Sequence, residues 1–111
     1  MFLKKYKVIN QVYDFNKIED FFEGVTHCNL YRSDFNYFVK KDIEEECIAS
    51  SEIFDILGQR IFVGNRSFDL SDSYAKDIKI YIGKDENNLV IRMKRGYTPD
   101  VYIYYRIEKI K

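Results

Sequence analysis

Between Asp77 and Lys111, three segments, DIKIYIG, NLVIRMKR and VYIYYRIEKI, alternate apolar and polar residues, and this pattern limits the fold more than any other feature of the chain. A period of two puts Ile78, Ile80 and Ile82, then Leu89, Ile91 and Met93, then Val101, Ile103, Tyr105 and Ile107 on one face of three strands. The connections, Asp85 to Asn88 and Gly96 to Asp100, are too short for a crossover helix, so the strands pair antiparallel as a meander. An antiparallel sheet with one apolar face needs a second layer over that face.

The rest of the chain supplies candidates for that layer. Asp14 is placed to cap a short acidic helix whose apolar positions are Phe15, Ile18, Phe22 and Val25, with Glu19, Asp20 and Glu23 outward and Gly24 near its end. Before it, Leu3 to Tyr13 alternate weakly, as a partly exposed strand does. His27 to Arg32 and Phe35 to Lys40 read as a hairpin about Ser33 and Asp34. Asp42 followed by Glu45 has the form of a capping box, and Ile43, Cys47, Phe54 and Leu57 fall on one helical face before Gly58. Ser50 and Ser51 weaken that second helix, and a strand followed by a shorter helix, Ser51 to Leu57, is the alternative. Arg60 to Val63 and Arg66 to Leu70 form a hairpin about Gly64 and Asn65. The expected fold is α+β: an antiparallel, meander-type curved sheet with one or two amphipathic helices packed on one face. A helix followed by many strands also suits a cystatin-like or half-barrel wrap, a likeness of architecture that carries no function.

A chain of 111 residues fits one domain, 1–111, and can bury a core without disulfide or metal support. With 46% hydrophobic and 32% charged residues, ten Tyr and nine Phe, the composition is that of a globular protein rather than a disordered one. No window approaches the roughly 20 apolar residues of a membrane span, and none has the form of a signal-peptide core; the expected location is cytoplasmic. Cys28 and Cys47 then read as two reduced thiols, a single disulfide being the minority case.

The zero net charge hides an asymmetry. Residues 1–75 hold nine Lys/Arg against thirteen Asp/Glu, and residues 76–111 nine against five. On the face of the meander opposite the aliphatics stand Lys79, Tyr81, Val90, Arg92, Lys94, Tyr102, Tyr104, Arg106 and Glu108. Interleaved rings and cations of this kind can stack on bases and neutralise phosphates. They equally suit a protein interface, or a sheet face on which Tyr and Arg cover each other by cation–π packing. Glu44, Glu45 and Glu46, with Asp42 and Glu52 nearby, make the densest acidic stretch, a surface for a basic partner or the exposed side of a helix.

The sequence holds no catalytic motif; Glu19, Asp20 and Glu23 could supply two carboxylates for acid/base work, but exposed helix charge is the expected reading. His27 and Cys28 are adjacent in a strand and so face opposite ways, which keeps thiol and imidazole apart. With one His and two distant Cys there is no metal-ligand spacing, and no phosphate loop or nucleophile elbow occurs; no cofactor is expected. The function expected from size, surface and missing motifs is a small non-enzymatic protein-binding module, an inhibitor or toxin-neutralising immunity protein. Its partner would be another protein, such as a basic toxin or nuclease, and the interaction residues Tyr81, Arg92, Lys94, Tyr102, Tyr104, Arg106, Glu44, Glu45 and Glu46. Two alternatives stand beside it: a single-stranded nucleic-acid binder using the Tyr/Arg face, and a half-barrel holding a small apolar ligand.

Overall fold

The computed structural model describes residues 2–4, 9–12, 14–34, 43–71, 78–94 and 101–110. In chain order they form β1 (Phe2–Lys4), β2 (Ile9–Val12), helix α1 (Phe15–Phe21), β3 (His27–Ser33), β4 (Ile43–Leu57), β5 (Arg60–Val63), β6 (Arg66–Asp69), β7 (Lys79–Gly83), β8 (Asn88–Lys94) and β9 (Tyr102–Lys109). The strands join in one antiparallel sheet, ordered β2-β7-β8-β9-β3-β4-β5-β6, with β1 pairing separately onto β4. β7, β8 and β9 are the meander that the alternation predicts. Ile80, Leu89, Ile91 and Ile107 are buried on one face, and Ile78, Ile82, Met93 and Tyr105 pack beside them. Two residues stand apart from that cluster: Val101, exposed before β9 begins, and Ile103, half-buried opposite Met93.

Helix α1 has seven residues, too few to be stable alone, so packing holds it. Asp14 caps it as the sequence predicts, its Oδ1 accepting from Asn16 N at 2.9 Å. Ile18, Phe21 and Phe22 are buried in the same cluster as Leu30, Ile61 and Ile107. At the other end Lys109 Nζ donates to the Phe21 carbonyl (2.8 Å) and lies 4.0 Å from the Phe21 ring centre, tying the helix C-terminus to β9.

Residues 43–57 depart furthest from expectation. Over 43–57 no helix forms, neither the one read from Asp42, which itself lies outside the described residues, nor the shorter one from Ser51: Ile43–Leu57 is a fifteen-residue strand, so only the strand half of the alternative reading holds. Phe54 and Ile56 pack inward while Ile53, Asp55 and Leu57 are exposed, a period of two. The strand turns at bulges. Cys28 pairs with Glu52 but Leu30 with Ala49, so β4 carries an extra residue there. Ser51 takes a positive φ of 51°, and its N–H donates to Asn29 Oδ1 at 2.8 Å instead of to the ladder. β4 pairs with β1 over Ile43–Glu45, with β3 from Glu46 to Ile53 across this bend, and with β5 over Phe54–Leu57.

The α+β expectation therefore gives way to a curled, mostly β architecture with one short helix among the described residues. The single strand expected over Leu3 to Tyr13 is two, β1 and β2, paired with β4 and β7 respectively. β3 stands where the first limb of the 27–40 hairpin was expected, but its described partners are β4 and β9. The second limb, 35–40, and the connection 96–100 lie outside the described residues. The β5–β6 hairpin forms as read, with Gly64 at φ 58°. No helix among the described residues is long and apolar enough to cross a membrane.

Candidate functional site

Strand register lays the Tyr/Arg row out in order. Tyr31, Arg106, Val90 and Tyr81 run across β3, β9, β8 and β7; the next row is Ser33, Tyr104, Arg92 and Lys79; Lys94 stands opposite Tyr102. Much of this face is interior. Val90 and Tyr104 are buried as a second small cluster, with Tyr81 and Tyr102 half-buried against it.

Arg106 is 0% exposed and Glu45 only 4%. They form a bidentate pair, Nε to Oε2 at 3.1 Å and Nη2 to Oε1 at 2.6 Å. Arg106 Nη1 donates to Asn88 Oδ1 (2.6 Å) and lies 3.5 Å from Glu108 Oε2, while the guanidinium stacks 3.9 Å from the Tyr31 ring centre. Glu108 Oε1 in turn accepts from Asn29 Nδ2 (3.1 Å) and Tyr31 Oη (3.2 Å). Burial, with the Glu108 charge second, holds the Tyr31 hydroxyl above its ordinary pKa. Arg106, Glu45 and Tyr104 are thus inside the fold rather than on the surface where the sequence places them, and Glu45 belongs to a strand, not to an exposed helix.

Arg92 contrasts with Arg106 on the same face. Its guanidinium lies 4.1 Å from the Tyr102 ring centre, and its Nε is buried with no acceptor. Lys79 is paired directly opposite it and Lys94 follows two residues along β8, both exposed. Among the described residues no carboxylate forms an ion pair with any of the three. The cross-strand packing of Tyr on Arg that the sequence suggests is present, at Arg92 on Tyr102 and Arg106 on Tyr31.

A surface that the sequence reading missed lies on β4 and β5. Ile53 is 67% and Leu57 73% exposed, with Asp55 between them and half-buried Phe62 opposite Asp55 on β5. Ile53, Asp55, Leu57 and Phe62 line a depression of 470 Å³, and Leu57 and Phe62 also border one of 250 Å³ that runs past Arg60 and Asp69. Arg60 Nη2 and Asp69 Oδ2 pair at 3.2 Å on that side. Backbone and side-chain hydrogen bonds from Ser71, with Arg60 in support, hold the Asp69 carboxyl below its usual pKa. Glu44 and Glu46, in the first half of β4, are exposed. Read as a strand, SEIFDIL has apolar residues on both faces, which would have revealed the outward pair; read as a helix it hides them.

Comparison with family models, with curated proteins and with solved structures finds no match for this chain.

The Cys28 thiol and the His27 imidazole are separated as the strand geometry requires. Cys28 is buried and His27 exposed on the other side, its Nδ1 3.0 Å from Thr26 Oγ1. Cys47 is exposed, and both cysteines are free. Burial pushes the Cys28 thiol from 9.0 up to about 12, with Lys109 pulling weakly the other way. A thiol-specific reagent at pH 8 should therefore modify Cys47 in the native protein and reach Cys28 only after unfolding, seen as one adduct against two by mass. The same shift makes folding alkali-sensitive. The unfolded thiol ionises from pH 9 while the folded one stays protonated to about 12, so stability falls as pH rises through that window. Cys28→Ala should flatten this slope in urea titrations between pH 8 and 11; an unchanged slope would contradict the assignment. Among the described residues no three His, Cys, Asp or Glu side chains converge as metal ligands.

Proposed function

We propose that this protein is a non-enzymatic module that binds another protein on the outward face of β4 and β5. The observation that carries this reading is the exposure of Ile53 and Leu57 on either side of Asp55, beside Phe62. Large aliphatics so exposed on a paired, ordered strand gain nothing for the fold and suit an interface centre. Chemistry along the strand supports one kind of partner. β4 contains five acidic residues and no Lys or Arg, and Glu44, Glu46, Glu52 and Asp55 are exposed. A partner with an apolar centre and a basic rim fits, as an inhibitor or immunity protein would meet a basic toxin or nuclease. β6, at the end of the strand order, leaves one edge of the same surface unpaired among the described strands.

The test is capture from the native host by the wild-type protein beside Ile53→Asp and Leu57→Asp. A stoichiometric partner retained by wild type should fall at least tenfold with either variant, at unchanged melting temperature, because a desolvated hot spot is worth about 2 kcal/mol or more. Equal retention by both variants would overturn the proposal, as would capture of no stoichiometric partner.

A further inference from the structure

We propose that the depression bordered by Glu52 and Asp55 seats an arginine side chain of the partner, its guanidinium held by the two carboxylates and its aliphatic stem by Ile53, Leu57 and Phe62. The inference deepens the protein-binding reading and rests on it for the owner of the arginine. The depression has a volume of 470 Å³ and reaches from β4 to the turn of the β5–β6 hairpin at Gly64. That volume falls in the range of small-ligand sites, about 300–1,000 Å³. Its lining combines two carboxylates with three large apolar side chains.

Both carboxylates are placed by backbone. Gly64 has a φ of 58°, and a Cβ added there would lie 3.2 Å from each of Cβ, Cγ and Oε2 of Glu52. The Glu52 side chain therefore lies flat against the turn, which brings its carboxylate to the depression. Asp55 is fixed at one oxygen, Oδ1 accepting from Ile56 N at 2.8 Å, so Oδ2 can take a second donor. Among the described residues neither Glu52 nor Asp55 has an ion pair. Arg60, two residues from Phe62 on the same face of β5, is taken by Asp69 at 3.2 Å and borders the other depression.

Two like charges at one hollow, with no cation between them, favour a cationic occupant. The apolar lining chooses among cations. A calcium ion takes about six to eight oxygen ligands and gains nothing from Ile53, Leu57 and Phe62. Lysine offers a strongly hydrated point charge, whereas the planar guanidinium of arginine forks onto carboxylates and sheds water more readily against apolar walls. The arginine stem would cover Ile53 and Leu57, now 67% and 73% exposed, so docking removes apolar surface and shields the ion pairs in one step.

Amide chemical-shift titration of the full chain with acetyl-Gly-Arg-Gly-amide, up to about 20 mM because one anchored side chain gives about millimolar affinity, tests the seat without the partner. Shifts should concentrate at Ile53, Asp55, Leu57 and Gly64. The same peptide with citrulline, neutral and of like shape, should cause none there. Glu52→Gln and Asp55→Asn, both at exposed positions, should each weaken the arginine peptide about three- to fivefold. No shifts at those amides would overturn the proposal, as would citrulline binding equal to arginine or variants that bind like wild type. Capture from the native host separates this inference from the wider reading. A partner released by Ile53→Asp but kept by the Glu52→Gln, Asp55→Asn double variant would leave the β4–β5 interface standing and remove the arginine seat. Release by the double variant at unchanged melting temperature would support the seat. Capture of no partner would strike the interface reading alone, since the peptide titration decides the seat.

Discussion

Glu45→Ala is expected to destabilise the protein by about 3–5 kcal/mol, the cost of leaving a buried charge without its partner. The side chain of Arg106 is fully enclosed, and Glu45 supplies two of its hydrogen bonds. Arg106→Met should cost a similar amount for the reciprocal reason: the Glu45 carboxylate and Asn88 Oδ1 both lose a donor inside the fold. Replacing the two together, Glu45→Leu with Arg106→Met, should recover the part of the loss that comes from an unpaired buried charge, while Asn88 Oδ1 stays without its donor. Urea unfolding of the two single variants and the double gives the cycle directly. Single-variant losses below about 1 kcal/mol would mean the pair behaves as a solvated surface bridge, and the enclosed network would be wrong.

Sequence could not show this pair, and the reason is general. A buried ion pair looks polar at both positions, so each member is assigned to the surface, and Glu45 and Arg106 stand 61 residues apart with no local signal linking them. The meander was legible because one face of β7, β8 and β9 is apolar without interruption, which leaves a period of two in the text. Helix α1 was legible from Asp14 and the spacing of Ile18 and Phe22, and the β5–β6 hairpin from Gly64 and Asn65. β4 was not. Its bulge at Ser51 interrupts the alternation, and Asp42 with Glu45 imitates a capping box although Glu45 turns to Arg106. Misreading β4 also hid the exposed apolar pair, because helical spacing puts Leu57 on the same face as Phe54. Of the candidate interaction residues, the structure leaves Tyr81, Arg92, Lys94, Tyr102, Glu44 and Glu46 at least partly at the surface and takes Tyr104, Arg106 and Glu45 inside.

The strand character of β4 has a mutational signature as large as that of the buried pair. Phe54→Ala should cost about 3–5 kcal/mol. Its ring stacks on Phe22 with centres 4.2 Å apart, and its backbone N–H donates to Thr26 O at 2.8 Å, so it is where the second half of β4 meets the end of α1. Ile56→Ala, on the same face and half-buried, should lose a smaller amount. Ile53→Ala and Leu57→Ala should stay within about 0.5 kcal/mol of wild type, because those side chains already stand in water. The expected profile along 53, 54, 56 and 57 is therefore small, large, intermediate, small. A helix over the same residues would set Phe54 and Leu57 on one face and make both costly, so a large loss at Leu57 would contradict the strand. The profile also separates stability from recognition: the positions that cost the fold least, Ile53 and Leu57, are those whose loss should cost the partner most. Measured together, those two outcomes would mark the surface that we propose for binding, and changes at Phe54 that impair binding would act through the fold instead.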